Sequence, residues 1–172
     1  ICRAEPRIAS TVAFGSDVAP GLGPWPALVI EDHSAIALFE TLGNFAYSYR
    51  ALLLASTGDQ VVIGVPHNEA FENYCAQLLG LGRPEILYLA SADGAGSLAG
   101  RAAADDALVA QAATRARQAG GLNLITYMGS GDVWRLAALI SARAERPVTV
   151  AAPPPLLTRR VNDKLWFSEC VR

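Results

Sequence analysis

Four short stretches hold residues that could do chemistry. Lys164 is the sole lysine beside thirteen arginines, and it sits in Asn162-Asp163-Lys164 near the C-terminal end. An ammonium on a flexible stem is a compact point charge, whereas a guanidinium is a planar fork, so a chain this biased toward arginine that still uses one lysine points to a site where the point charge works and the fork does not. A solvated charge on a helix surface is the competing account. Gly129-Ser130-Gly131-Asp132 offers bare backbone and a hydroxyl. At a helix start its N–H groups would suit an anion or a carboxylate, and Ser130 serves equally as a plain cap. His33 and His67 are the two histidines. They fall at neighbouring strand ends and could converge on a substrate, but no third ligand or base stands beside them, and histidines satisfied within loops explain them as well. Gly94-Ala-Gly96-Ser-Leu-Ala99 formally fits a GxGxxA dinucleotide fingerprint, which arises cheaply in a chain rich in Gly and Ala; a loop is the rival reading.

Several chemistries are excluded. No GxxxxGK[ST] loop, GxSxG elbow or HExxH helix occurs. Cys2, Cys75 and Cys170 are odd in number and widely spaced, so neither a disulfide framework nor a zinc site is expected, and a reducing cytoplasm is the default location. Cys75 falls on an apolar helical stripe and reads as core. Phe45, Tyr47 and Tyr49 beside Arg50 would shape a pocket or pack a helix; Trp166 and Phe167 read as packing residues.

Positioning these groups requires βα units. Short apolar runs at Ala27 to Glu31, Val61 to Val65, Ile86 to Ala90, Leu122 to Tyr127 and Val148 to Ala151 alternate with helical patterns. Asn68 caps a helix carrying Phe71, Tyr74, Cys75, Leu78 and Leu79, which Gly80 ends. After Asp105, residues Leu108, Val109, Ala112, Ala113 and Ala116 form a second stripe, and Ser130 precedes a third with Val133, Leu136, Ala137 and Ile140. Ser34 to Ala55 is expected to be mostly helical, broken near Gly43-Asn44. Residues 1–25 show only a short strand signal around Thr11 to Phe14. Gly21-Leu-Gly23-Pro-Trp-Pro reads as a loop. Pro153-Pro154-Pro155 stiffens the exit from the last strand and is expected to continue neither strand nor helix, with Thr158 or Asn162 capping a final helix. The fold class is α/β, a Rossmann-like three-layer domain with a mostly parallel sheet of about five strands. Ligands of such sheets bind beyond the strands' carboxyl ends. Here these ends carry Glu31-Asp32-His33, Pro66-His67-Asn68, Ser91 and Asp93, and Met128 to Asp132.

Composition narrows the partners. At 172 residues, 52% hydrophobic and net charge −2, the chain is long enough for one domain with a sizeable core. Interspersed charges give no footprint for nucleic acid or an anionic membrane. No apolar run approaches the ~20 residues of a span. The chain starts with Ile and stops inside a helical segment without a stop signal, so it reads as a fragment of a longer protein.

In its order of elements the chain resembles the N-terminal, pre-ATP-grasp domain of ATP-grasp ligases, in the branch typified by pheganomycin peptide ligase. The resemblance is carried by Tyr49 to Ala55 with Gly58 to Ile63, by Tyr74 to Leu81, by Ile125-Thr126-Tyr127 with its turn, and by Asn162-Asp163-Lys164; it spans most of residues 25–172. It implies residues 1–157 as the Rossmann-like pre-ATP-grasp domain and 158–172 as the first helix leading into an ATP-grasp domain. It further implies ATP and Mg2+ as cofactors, held mainly by that following domain, with Lys164 reaching the phosphates and Asp163 capping the helix. The substrates would be a small carboxylate and an amine, or a peptide, joined through an acyl phosphate, and a homodimer is compatible. This chain would supply one wall of the cleft and be inactive alone. The N-terminal segment departs from the branch in lacking a clear strand-plus-Gly-Asn start. A free-standing Rossmann-like nucleotide- or metabolite-binding module is the alternative, and an NAD enzyme built on the loop at Gly94 a third.

Overall fold

The computed structural model describes residues 17–34, 36, 47–89 and 96–171. Six strands, all parallel to their neighbours, form its sheet: β1 (Val18–Pro20), β2 (Ala27–Ile30), β3 (Gln60–Ile63), β4 (Glu85–Tyr88), β5 (Leu122–Thr126) and β6 (Val148–Val150), in the order β1-β6-β5-β2-β3-β4. Five of these lie where the apolar runs place them. The sixth, β1, pairs Val18 with Val148 and Pro20 with Val150. Three residues ending in proline give no periodicity to read, and only an edge position tolerates the missing donor. The strand expected at Thr11 to Phe14 lies outside the described residues.

Strand periodicity divides the core into two layers. Leu28 and Ile30 of β2, with Leu122, Leu124, Val148 and Val150, face the helices α2 (Leu98–Ala104), α3 (Asp106–Ala119) and α4 (Gly131–Ala144). Ala27, Val29, Val61 and Ile63 face the opposite way, against Ala51, Leu52 and Ala55 and against Cys75. The α3 stripe Leu108, Val109, Ala112, Ala113 and Ala116 is buried in full, as is the α4 stripe, which also buries Trp134. Asp105 accepts hydrogen bonds from Ala107 N and Leu108 N, and Ser130 accepts one from Val133 N, so both helices start where their caps predict. Three layers result: helices, parallel sheet, helical turns.

The second helical layer departs from expectation. Asn68 caps α1 (Glu69–Asn73), but Tyr74–Leu78 continues as a π-turn. The wider turn rotates the stripe, leaving Cys75 buried while Tyr74, Leu78 and Leu79 are exposed. In the segment expected as helix from Ser34 to Ala55, Ser48–Leu53 forms a 3₁₀ helix, and residues 37–46, with the break at Gly43-Asn44, lie outside the described residues. Beyond β6 two short helices follow, α5 (Pro155–Val161) and α6 (Lys164–Cys170). Neither Thr158 nor Asn162 is the N-cap of either; Asn162 instead ends α5. Pro155 opens α5, because a first-turn N–H has no partner to lose, and Asp163 caps α6 by accepting from Leu165 N and Trp166 N. Phe167 is half exposed and is not a packing residue. Gly23 and Gly121 lie against the Trp25 ring, where a Cβ would come within 2.2–2.4 Å of ring carbons. This explains the Gly-rich loop before β2. Among the described residues no helix is long and apolar enough to cross a membrane.

Candidate functional site

The strand order fixes where a ligand can enter. From β2 the chain moves outward to β3 and β4; it then crosses back to β5, on β2's other side, and continues to β6. Loops leaving β2 and β5 therefore diverge, and a crevice opens between their carboxyl ends. Glu31, Asp32 and His33 leave β2 at that crevice and all are buried. Tyr127, Met128, Gly129 and Ser130 leave β5 on its other side.

Asp32 is spent on structure. One carboxylate oxygen accepts from Ser34 N and the Ser34 hydroxyl, the other from Ala99 N at the start of α2. Ser97 caps α2 through Gly100 N and donates to Asp132. The loop containing Gly96 thus does open a helix directly, but its first-turn amides already hold Asp32 and Ser97. Two carboxylates, Asp32 and Asp132, stand at this helix start and would repel a pyrophosphate, so the bonds made there do not favour the GxGxxA reading. Gly94 lies outside the described residues.

Glu31 and His33 hold Arg50. The His33 ring is 1% exposed; its Nδ1 lies 3.2 Å from Glu31 O and its Nε2 3.3 Å from Arg50 Nη1. A ring that donates to a carbonyl from Nδ1 must accept at Nε2, so Arg50 donates to His33. Glu31 Oε2 lies 3.7 Å from both Arg50 Nε and His33 Nε2 and makes no hydrogen bond, although Glu31 is 3% exposed. Tyr127 packs its ring on His33 at 4.3 Å, and the Arg50 guanidinium carbon stands over the same ring at 5.9 Å.

The turn after β5 meets the exit from β6. A Cβ on Gly129 would fall 2.4 Å from Pro153 O and 3.0 Å from Thr158 Oγ1. Pro153 O is itself fixed, accepting from Trp134 Nε1 at 3.3 Å and Thr158 Oγ1 at 3.0 Å. Bare backbone at Gly129 is therefore required for the two loops to touch. Around Gly131 a Cβ would meet nothing within 4 Å, because an open cavity of about 710 Å³ begins there. Tyr127, the Gly129-Ser130-Gly131 turn, Thr158, Arg159, Asn162 and Asp163 line it. A second cavity of about 350 Å³, lined by Asp32, Ser97, Ser130 and Asp132, adjoins it across Met128 and Ser130. Lys164 follows Asp163 directly, is exposed, and forms no hydrogen bond or ion pair with another described residue.

His67 belongs to a different group at the ends of β3 and β4. Its Nε2 lies 2.9 Å from Glu72 Oε2, while Tyr49 and Tyr88 both donate to Glu72 Oε1 and Tyr49 OH accepts from Asn68 N. Partial burial pushes the Glu72 carboxyl up, but the bonds from Tyr88, Tyr49 and His67 outweigh it and hold it below its ordinary 4.5. Tyr88 is pushed far up by burial and by the Glu72 carboxylate it bonds. Burial likewise raises the Cys75 thiol, with the Glu72 charge adding to it. That thiol is a packing group.

The family model described as the pre ATP-grasp domain matches residues 48–142, from the 3₁₀ helix through most of α4. This chain belongs to that family. Comparison with curated proteins and with solved structures finds no match. Within this pre-ATP-grasp domain the matched stretch supplies Arg50, Tyr127 and the Gly129–Gly131 turn, while β2 and Lys164 lie outside it. The domain brings together two of the motifs singled out in the sequence: the glycine turn and Asn162-Asp163 share one cavity. It separates His33 from His67, each held by its own partners. Tyr127 was not legible as a site residue, and Arg50 only as the neighbour of aromatics that would shape a pocket; the three polar residues in succession after an apolar strand, Glu31-Asp32-His33, were the signal pointing to that edge. Among the described residues no group of three His, Cys, Asp or Glu side chains could hold a metal ion.

Proposed function

We propose that this pre-ATP-grasp domain is the N-terminal part of an ATP-dependent carboxylate–amine ligase of peptide type, contributing one wall of its ATP and substrate cleft and inactive alone. The observation that carries the reading is the cavity shared by the Gly129-Ser130-Gly131 turn and Asn162-Asp163; Lys164 is the next residue in the chain and is exposed. A lysine in the first turn of a helix meets the positive end of the helix dipole, at a cost of about 0.3–1 kcal/mol. Helix stability therefore gives no reason for the sole lysine to open α6, whereas a phosphate facing it does.

The residues present fit a triphosphate only in part. Arg159 and Lys164 supply cations, but Asp132 and Asp163 supply as many anions near the turn. Mg2+ and further cations from a following domain are needed to seat the phosphates. ATP supplies the phosphoryl group that converts a carboxylate to an acyl phosphate; an amine then displaces phosphate to form the amide. In this division of labour Lys164 orients phosphate oxygens, the backbone of Gly131 allows a substrate close approach, and Asp163 holds the helix that carries Lys164.

The test is ATP-dependent ADP release in the enzyme that contains this domain. Lys164→Met keeps the stem and removes the charge, and is expected to weaken ATP use by about ten- to a hundredfold with the fold intact. Lys164→Arg restores only part of it. Parental turnover and ATP affinity in Lys164→Met would refute the assignment.

A further inference from the structure

We propose that Arg50 receives the carboxylate of the non-nucleotide substrate, held in place for it by Glu31, His33 and Tyr127. This deepens the ligase reading and rests on it for the word substrate; the binding of a carboxylate at Arg50 stands on the geometry alone.

A guanidinium carries five N–H donors. Of these, Nη1 bonds His33 Nε2 at 3.3 Å, and Nε lies 3.7 Å from Glu31 Oε2, beyond hydrogen-bond distance. Nη2 makes no hydrogen bond to another described residue. An arginine built for structure spends its fork on its carboxylate in a close bidentate pair. Here the Glu31 side chain is 3% exposed and has one carboxylate oxygen without a hydrogen bond, while the Arg50 side chain is 49% exposed. The buried acid fixes the charge and the orientation of Arg50 without consuming its donors. Tyr127 supports the guanidinium from its ring face at 5.9 Å, and also lines the cavity at the glycine turn. The head group therefore stands at the crevice between β2 and β5 with donors to give.

The charge balance selects the anion. Glu31 neutralises Arg50, and Asp32 and Asp132 add negative charge around the adjoining cavity. A dianionic phosphate would be repelled twice as strongly as a carboxylate there. A planar carboxylate with one charge matches one planar fork and leaves the rest of the acid to lie in the cavity lined by Tyr127, Met128 and Gly129.

The experiment uses the full chain, without ATP. The Arg50 Nε–H and Tyr127 ring resonances are followed by NMR while N-acetylalanine, its neutral amide N-acetylalaninamide, or inorganic phosphate is added. N-acetylalanine is expected to shift both saturably and to bind at least about tenfold tighter than the amide. Arg50→Gln should abolish that preference. Arg50→Lys, which keeps the charge and guards against misfolding of the glutamine variant, should lose most of it. Glu31→Gln tests the charge and positioning role: the preference for N-acetylalanine over phosphate should fall several-fold, with the Tyr127 shift caused by Arg50 diminished. Equal binding of acid and amide, parental binding by Arg50→Lys or Arg50→Gln, or tighter binding of phosphate than of N-acetylalanine would each overturn the proposal. No nucleotide is present, so failure here leaves the ligase reading to its own ADP-release test, and failure there leaves the carboxylate site standing.

Discussion

Replacing Gly129 by alanine tests how the cavity is built. The new Cβ would lie 2.4 Å from Pro153 O, 2.9 Å from the Ala152 Cβ and 3.0 Å from Thr158 Oγ1. None of the three is the loose end of a long side chain. Pro153 O is pinned by Trp134 Nε1 and Thr158 Oγ1, and Trp134 is fully buried. Relief requires the β6 exit or the β5 turn to move by about an ångström, which costs about 1–3 kcal/mol in strain. Loosening the two bonds to Pro153 O adds about 1 kcal/mol. A loss of about 2–4 kcal/mol lowers the melting temperature by about 5–15 °C for a chain of this size. Gly131→Ala is the control two residues away: nothing lies within 4 Å of its Cβ, and its helical backbone suits alanine, so it should melt as the parent or slightly higher. Thermal melts followed by Trp fluorescence give both numbers. If Gly129→Ala melts within about 1 °C of Gly131→Ala, the two loops do not touch as described, and the cavity they enclose loses its wall.

Two further outcomes follow from the same contacts. Glu72 has a native pKa below its ordinary 4.5, so its contribution to stability is complete above that value and disappears as pH falls through the lower native value; Glu72→Gln should therefore flatten the acid limb of a melting-temperature profile below about pH 4.5 while Tyr49→Phe only reduces it. An unaltered acid limb in Glu72→Gln would show that other carboxylates control acid stability. Asp105→Ala removes the acceptor for Ala107 N and Leu108 N at the joint between α2 and α3, and should cost about 1 kcal/mol in chemical denaturation; Asp105→Asn, which still caps, should recover most of it.

Local chemistry made most of the fold readable. Asn68, Asp105 and Ser130 each stand three residues before the first residue of an apolar stripe, and each caps the helix it announces. Strands β2 to β6 are largely apolar runs, as a sheet covered on both faces requires. What escaped detection depended on partners distant in sequence. β1 exists because Val148 and Val150 offer an edge to Val18 and Pro20. The π-turn at Tyr74–Leu78 keeps Cys75 in the core at the expense of Leu78, a choice that a 3.6-residue period cannot express. Pro153-Pro154-Pro155 looked like a barrier to any helix, yet the third proline starts one, since only interior prolines break helices.

The site shows the same division more sharply. Asn162-Asp163-Lys164 and Gly129-Ser130-Gly131 were conspicuous because each motif is contiguous, and the cavity joins them. The Arg50 group had no such signature. Its members come from β2, the 3₁₀ helix and the end of β5, and meet only because the strand order places β5 beside β2. A crossover from β4 back across the sheet is a global property, which no window of residues contains. Yet that crossover opens the crevice, puts a buried acid under an exposed guanidinium, and sets Tyr127 between that guanidinium and the glycine turn. The residues proposed to recognise a substrate are therefore assembled by topology, and those proposed to meet a nucleotide by motif. Variants at Arg50 and at Lys164 should accordingly separate, one changing preference among acids and the other the use of ATP.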